Sequence, residues 1–447
     1  MGTKIIKSSQ MNNWRRLDNS ARIFPAASSV TTANVFRLSC VLYEEINPML
    51  LQQALDTTIT RFPAFHVRLR AGFFWYYFEA NPERPEVARE ELYPCAPMNR
   101  RENGGYLFRV LYFGNRLSLE TYHALTDGTG AMEFLKALLC TYLALVHPEL
   151  PSPINAQGDT VSPNAAVVED GYNKIYKKAN GFTPFIRRAY RLRGTPLPFT
   201  AVKVVHGIAD TSALLAAARA RGVTLTGFLT AVLIYSIYQE ELKGRPSWSP
   251  VSVSLPVNLR NVFGTKTALN FFECVGISVL CDRSGMTFNE VLSVVSGRMV
   301  EELSKENLAK RNAYKVRLSR NPVLRAVPLF IKNLVLRPAY RKGELTASTT
   351  LSNLGRVELP EEFAPYADRF EFILSPTDSN HVKCAVCSFQ EKLTFTFAAN
   401  IEQQNLQRAF FRQLTSLGID LTIESNFFYD YRPVTKGKQH TKEEKEP

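Results

Sequence analysis

The stretch Arg116-Leu-Ser-Leu-Glu-Thr-Tyr-His123-Ala-Leu-Thr-Asp127-Gly128-Thr-Gly130 runs from a strand pattern straight into a helix pattern. Leu117, Leu119, Thr121 and His123 share one face of the strand by its period of two. His123 therefore continues an inward-facing row and emerges where the strand ends, at the edge of the packed interior. Asp127 stands just before a helix expected over 129–146, beside Gly128, which permits a sharp backbone turn. An imidazole placed there can be partly desolvated, kept neutral and used as a general base. The bland alternative is a core histidine followed by a helix N-cap, and the residues alone leave both open.

Other chemistries lose support from the same stretch and its surroundings. Gly128-Thr-Gly130 opens a helix after a strand, but Glu133 occupies the third glycine position of a dinucleotide loop and no parallel unit follows. There is no GxxxxGK[ST] loop for a nucleotide and no GxSxG elbow to supply His123 with a serine nucleophile. Neither HExxH nor a tight His/Cys cluster appears, so no metal is expected. Cys384 and Cys387 form the only CxxC, and in an alternating strand they point to opposite faces, which argues against a redox or metal role.

Working outward, the first half alternates strands and helices. Strands are expected over 35–43, 71–79 and 107–113, a helix over 47–61, and a Pro-rich loop over 81–97. Residues 148–163 are rich in Pro, Ser and Asn and read as a linker. A second half opens with a strand at 200–206 and helices over 211–220 and 226–242. Strands follow at 250–257 and 271–280, then a long helix over 289–308 and a strand over 345–351 leading into Ser352-Asn353. Strands at 369–374, 381–389 and 393–399 and an amphipathic helix over 405–417 complete it. The division expected is 1–165, a basic crossover 166–199, a second half 200–432 and a disordered charged tail 433–447. Long helices with antiparallel-looking strands indicate an α+β fold of sandwich layers.

The chain has 447 residues with 54 Lys+Arg and 41 Asp+Glu, a formal charge of +13, and 45% hydrophobic residues. That composition excludes a disordered chain, a collagen-like fibre and a disulfide miniprotein. The charge is not spread evenly. Residues 171–209 and 307–343 contain no acid, and together they hold more positive charge than the whole chain, so the remainder is mildly acidic. Such concentration points to a local anionic partner. A solvated basic face and a membrane surface are the rival readings, the second because 322–341 mixes Leu, Val, Ile and Phe with Arg and Lys. No nucleic-acid motif accompanies the charge, so nucleic acid is not expected. The N-terminus lacks an apolar signal-peptide core, and Ile6 occupies the place where a myristoylation signal needs Ser or Thr. The uncharged run 222–239 reads as a buried helix rather than a span. A cytoplasmic protein is expected, with peripheral membrane contact left open, and a monomer.

His123-Ala-Leu-Thr-Asp127-Gly128 resembles the HxxxDG signature of the CoA-dependent acyltransferase superfamily, which includes chloramphenicol acetyltransferase, condensation domains and alcohol acetyltransferases. Three later segments resemble family segments in the expected order. They are Thr224-Leu-Thr-Gly-Phe-Leu-Thr-Ala-Val232, Leu255-Pro-Val-Asn-Leu-Arg260 and Thr350-Leu-Ser-Asn-Leu-Gly355, the last similar to the alcohol acetyltransferase branch. Tyr122 departs from the pattern, since many members carry a second histidine there.

The resemblance implies two chloramphenicol-acetyltransferase-like α/β sandwich halves, arranged as a pseudo-dimer around a central tunnel. It implies His123 as general base, with Asp127 and Gly128 supporting it and Arg260 as the partner of Asp127. Ser352 and Asn353 would contact the oxyanion or the pantetheine arm, and Arg337, Arg341 and Lys342 the CoA phosphates. The implied reaction is acyl transfer from a CoA thioester to an alcohol or amine, with acyl-CoA as co-substrate and no bound cofactor. A condensation-type protein using carrier-bound acyl groups, or a non-catalytic binding module on the same fold, are the alternatives.

Overall fold

A computed structural model describes residues 14–426, apart from 92, 156–157, 160, 163–166, 179–181, 183–186 and 199–200. The charged tail expected at 433–447 lies outside the described residues, as does part of the 148–163 linker and of the basic crossover. The chain folds into two α/β layers, each with its own apolar core. The first is built on a five-stranded sheet in the spatial order Ala367–Leu374, Val35–Leu42, Arg116–Tyr122, Phe108–Phe113 and Val87–Arg89. Its apolar face carries Phe36, Leu38, Leu117 and Leu119, and the helices Pro48–Ile59 and Gly128–Val146 pack with it. The helix Gly128–Val146 is long and apolar enough to cross a membrane by composition, yet two-thirds of it is buried here as the core helix of this layer.

The opposite face of that sheet is also buried, through charge rather than through apolar side chains. Arg37 Nε donates to Glu120 Oε1 at 2.9 Å, Arg109 binds the other oxygen of Glu120, and Glu90 takes Arg37 Nη1 at 2.5 Å. Four charged groups withdrawn from water in this way are tolerable only because each finds partners. The clean alternation read from the sequence therefore marks a face but not its solvent exposure.

The second layer is a seven-stranded sheet in the order Phe272–Val279, Val251–Asn258, Thr349–Val357, Val382–Phe389, Lys392–Ala399, Lys203–Asp210 and Thr422–Ser425. Thr349–Val357 runs parallel to both neighbours, and the other pairs are antiparallel. The helix Leu225–Glu240, capped by Thr224 Oγ1 on Gly227 N, lies buried against it, with Asn405–Ser416 alongside. Cys384 belongs to this core, whereas Cys387 faces the first layer and donates to Phe370 O. Burial pushes both thiols up, which leaves them inert.

One strand breaks the division expected at 165 and 200. Ala367–Leu374 comes from the second half of the sequence but pairs along its whole length with Val35–Leu42 of the first sheet. It also packs on Val382–Phe389 and Lys392–Ala399, so it ties the two layers together. Its own pattern of Phe370, Phe372 and Leu374 is that of any sheet strand and does not say which sheet it joins.

Three expected elements change. The aromatic strand at 71–79 is a hairpin, Val67–Ala71 and Tyr76–Ala80, closed by Gly72 N donating to Trp75 O at 2.9 Å, so Phe73, Phe74 and Trp75 form its turn. The helix at 289–308 is two, Phe288–Glu302 and Lys305–Arg320, because Ser304 caps the second on Asn307 N. Thr349–Val357 starts later than 345 and carries Ser352 and Asn353 inside the strand rather than in a loop after it. The second basic window is helical apart from breaks at Asn321, Val327 and Pro328, in Lys305–Arg320, Pro322–Ala326 and Leu329–Glu344.

Candidate active site

Two segments far apart in sequence zip together at the end of strand Arg116–Tyr122. From the first layer come 123–130, and from the second 258–272. Thr126 Oγ1 donates to Ala268 O at 2.6 Å, and Asn258 Nδ2 to Thr129 Oγ1 at 3.2 Å. Asp127 sits at the centre. Its carboxylate accepts Gly130 N as the helix cap, Phe271 N at 2.8 Å, and both terminal nitrogens of Arg260 at 2.8 and 3.1 Å. Arg260 in turn donates to the carbonyls of Thr267 and Leu269. Burial works against the charge on Asp127, but Arg260 and the backbone N–H groups outweigh it and hold the carboxyl below the ordinary carboxylate range. Two parallel N–H···O⁻ bonds fix this loop geometrically as well as energetically.

The same zipper sets His123. Its Nδ1 is 3.2 Å from Asn270 Oδ1, and Asn270 Nδ2 donates to Asp18 Oδ2 at 3.0 Å. With the amide nitrogen committed to Asp18, its oxygen must accept, so Nδ1 carries the proton and Nε2 carries the lone pair. Phe24 stacks on the ring at 4.6 Å, and Phe36 and Phe272 close around it at 5.2 and 5.1 Å. Burial lowers the imidazole pKa, against smaller opposing effects of a hydrogen bond to its own backbone, of Asp127 and of Asn270. The ring is thus held in one tautomer, with its charged form disfavoured by burial.

His123 reaches a cavity of about 1970 Å³ lined by both layers. This exceeds the usual size of a single small-ligand pocket. Phe24, Phe36 and Phe272 form its floor around the imidazole, and Lys383 lines it, its charge adding to the depression of the His123 pKa. Lys383 Nζ also faces Glu344 Oε1 at 3.6 Å.

The residues singled out in the sequence fall into four groups. His123, Asp127 and Arg260 are brought together. Gly128 is not among the cavity-lining residues and lies at the seam, where a Cβ would meet the side-chain end of Leu354, Cδ2 at 2.7 Å. Ser352 and Asn353 are not among the cavity-lining residues, and Asn353 is spent on Thr226 Oγ1 at 3.1 Å and on Gly355 N at 2.8 Å. Of the three cations, Lys342 lines the cavity, while Arg337 and Arg341 lie exposed outside it. The lining cations missed in the sequence include Arg22, Arg325 and Lys332. Burial, then the charges of Arg22 and Arg325, depress the Lys332 ammonium, so the three stand close together.

Asp18 and Asn270 were also missed. Asn270 follows Leu269 in a segment that reads only as a strand entry, and Asp18 lies 252 positions away from it. Tyr122, where a second histidine was looked for, donates to or accepts from Ser28 Oγ at 2.9 Å and is pushed up to about 12 by burial, a structural setting. No group of His, Cys, Asp and Glu that could hold a metal occurs among the described residues.

No family model matches the chain. An uncharacterised protein of Mycobacterium tuberculosis H37Rv is 25% identical over 381 residues, 81% of this chain and 80% of that protein. Fusarium sporotrichioides TRI101, solved with coenzyme A and T-2, superposes with a TM-score of 0.62 at 13% identity, over 92% of this chain and all of that one. The first condensation domain of the calcium-dependent antibiotic synthetase superposes at 0.59 with 14% identity, again over 92% and all of its length. The chain shares the fold of these two structures over nearly its whole length.

Proposed function

We propose that this protein is an acyltransferase that moves an acyl group from a CoA thioester to the hydroxyl of an alcohol. The observation that carries the reading is the state of His123: Nδ1 held by Asn270, the pKa lowered, and the ring open to a large apolar cavity. In the reaction, Nε2 takes the proton of the acceptor hydroxyl as its oxygen attacks the thioester carbonyl. The tetrahedral oxyanion collapses with cleavage of the C–S bond, and the imidazolium returns its proton to the thiolate. The products are an ester and free CoA, and no acyl-enzyme is needed because the thioester is already activated. Lys383, a lining cation whose charge reaches the imidazole, is our candidate to stabilise the oxyanion. Arg22, Arg325, Lys332 and Lys342 are the lining cations suited to the phosphates of the donor. Asp127 and Arg260 act by holding the loop that presents His123.

The test is an acceptor screen that follows thiol release from acyl-CoA, run beside His123→Ala. Thiol release dependent on an alcohol, abolished in the variant while its circular dichroism stays unchanged, supports the assignment. Equal turnover in the variant removes His123 as base. Transfer from an acylated carrier protein and none from acyl-CoA moves the donor to the condensation-type alternative.

A further inference from the structure

Helix Leu329–Glu344 presents an unusual outer surface. Leu329, Asn333, Leu336 and Tyr340 turn inward at spacings of three and four, and Tyr340 donates to Asn34 Oδ1 at 2.8 Å and packs on Phe24. The outward stripe should then be polar. Instead it begins with Phe330 (66% exposed), Ile331, Leu334 (73%) and Val335, and ends with Arg337, Arg341 and Lys342. The preceding short helix Pro322–Ala326 adds Val323 (72%) and Leu324.

The hairpin turn Phe73–Trp75 is anchored to the same helix. Leu329 N donates to Phe73 O at 2.8 Å, Lys332 Nζ to Phe74 O at 2.7 Å, and Asn333 Nδ2 to Tyr76 OH at 2.9 Å. Phe73 is 68% exposed there, and Phe74 and Trp75 are also exposed. Aromatic and aliphatic side chains from three elements thus form one exposed apolar face, larger in character than the scattered singles normal for a soluble surface.

Short of Glu344 at the helix end, the charge on this face is of one sign. From Asn307 to Gly343 there is no acid, and none of Arg325, Arg337, Arg341 and Lys342 forms an ion pair with a carboxylate among the described residues. Apolar residues at the centre with unpaired cations beside them match the acyl and headgroup zones of an anionic bilayer, the carboxylate of Glu344 at the helix end being turned to Tyr340, Thr377 and Lys383. Arg337 and Arg341, which do not line the cavity, acquire a role here. Phe74, Trp75, Leu324, Ile331 and Val335 belong both to this face and to the cavity lining.

We infer that helix Leu329–Glu344, helix Pro322–Ala326 and the Phe73–Trp75 turn form a docking face for an anionic membrane surface, beside the entrance through which a long-chain substrate reaches His123. The passage of substrate rests on the transfer reaction proposed above, whereas the docking does not. The face fits a substrate that stays in the bilayer, since a chain leaving the membrane here passes from lipid onto apolar cavity wall without crossing water.

Flotation of the purified full chain with vesicles tests this without turnover. The vesicles are phosphatidylcholine alone, or phosphatidylcholine mixed with phosphatidylserine. Binding to the mixed vesicles is expected, weaker in high salt and weaker to the neutral ones. The double variant Arg337→Glu/Arg341→Glu should lose about thirtyfold or more in vesicle affinity. Phe330→Ser/Leu334→Ser should abolish binding while thermal unfolding stays as in the parent, since both side chains are exposed. The docking is overturned if the parent does not float with anionic vesicles, or if both variants float equally well. It is also overturned if the parent is a dimer that Phe330→Ser/Leu334→Ser makes monomeric, because the face then belongs to a second copy. Vesicle binding with no acyl transfer leaves the docking standing and removes only the reaction.

Discussion

Asn270 places its side-chain oxygen 3.2 Å from His123 Nδ1 although the two residues are 147 positions apart and belong to different layers of the molecule. The contact transmits a decision made one step further back. Asp18 accepts the Asn270 amide nitrogen, which leaves the amide oxygen for the imidazole and so selects the tautomer with its lone pair on Nε2. Asn270 and Asp18 touch no reacting atom in the proposed mechanism. They are positioning residues, and their effects should appear in kcat and in pH behaviour rather than in binding.

Replacing Asn270 by Ala removes the acceptor that orients the ring, so either nitrogen can then hold the proton. The expected loss is about tenfold to a hundredfold in kcat with KM nearly unchanged, within the range of general-base effects. Steady-state kinetics at saturating donor check it. Equal kcat in parent and variant would mean that the aromatic cage of Phe24, Phe36 and Phe272 and the hydrogen bond to the residue's own backbone orient the ring without Asn270.

Asp18 makes a second, independent prediction about stability. Burial pushes its carboxyl up to about 7, against the opposing hydrogen bonds of Ala21 N and Asn270. Arg15 opposes the rise and Asp170 adds to it, both more weakly. A group whose folded pKa lies above its unfolded value leaves the native state holding the extra proton between the two. Stability from this group is therefore full near pH 4 and falls as pH rises toward 7, by at most about 1.4 kcal/mol per pH unit. His123 and His206 have depressed values and act with the opposite sign, losing stability as pH falls below their unfolded pKa. Melting curves of the parent and Asp18→Asn across this range isolate Asp18. The variant should gain on the parent steadily as pH rises, and a constant difference would show that Asp18 does not titrate there.

Much of the framework was legible because it is local. The strand-turn-helix at 116–146, the capped helices and the strands near the C-terminus are written in periodicity and cap residues, and the structure shifts their ends by only a few positions. The site was legible as far as His123, Asp127 and, through the resemblance, Arg260. What escaped is non-local. Nothing in Asp18 or Asn270 marks them as neighbours of an imidazole, and the strand Ala367–Leu374 carries no sign of the sheet it joins. Ser352 and Asn353 were misplaced for a related reason: a recognisable segment shows which residues are present but not that Asn353 is already bonded to Thr226 and Gly355.

The pair Asp127–Arg260 separates a structural role from a catalytic one. Asp127→Ala strands a buried guanidinium and should cost about 3–5 kcal/mol in urea unfolding at constant m-value. Removing both partners, as Asp127→Ala/Arg260→Leu, should recover a good part of that loss, because no uncompensated charge remains. Additive losses would instead show that Asp127 stabilises mainly through Gly130 N and Phe271 N.

The two glycines of the turn should behave differently, although they are two residues apart in the same helix start. A Cβ at Gly130 would lie 2.2 Å from Thr126 Oγ1 and 2.5 Å from Ala268 O. Ala268 O is backbone, and it is the acceptor that joins the two layers through Thr126. Gly130→Ala must therefore push the layers apart or break that bond, at about 1–3 kcal/mol or more. At Gly128 the nearest atom is Leu354 Cδ2, the far end of a side chain that can turn aside, and alanine is the better helix former. Gly128→Ala should then change stability by less than about 1 kcal/mol and leave the His123 loop in place. Thermal unfolding of the two variants side by side decides the point. Equal destabilisation would mean that Leu354 is held as rigidly as backbone, making the seam at Gly128 as fixed as the one at Gly130.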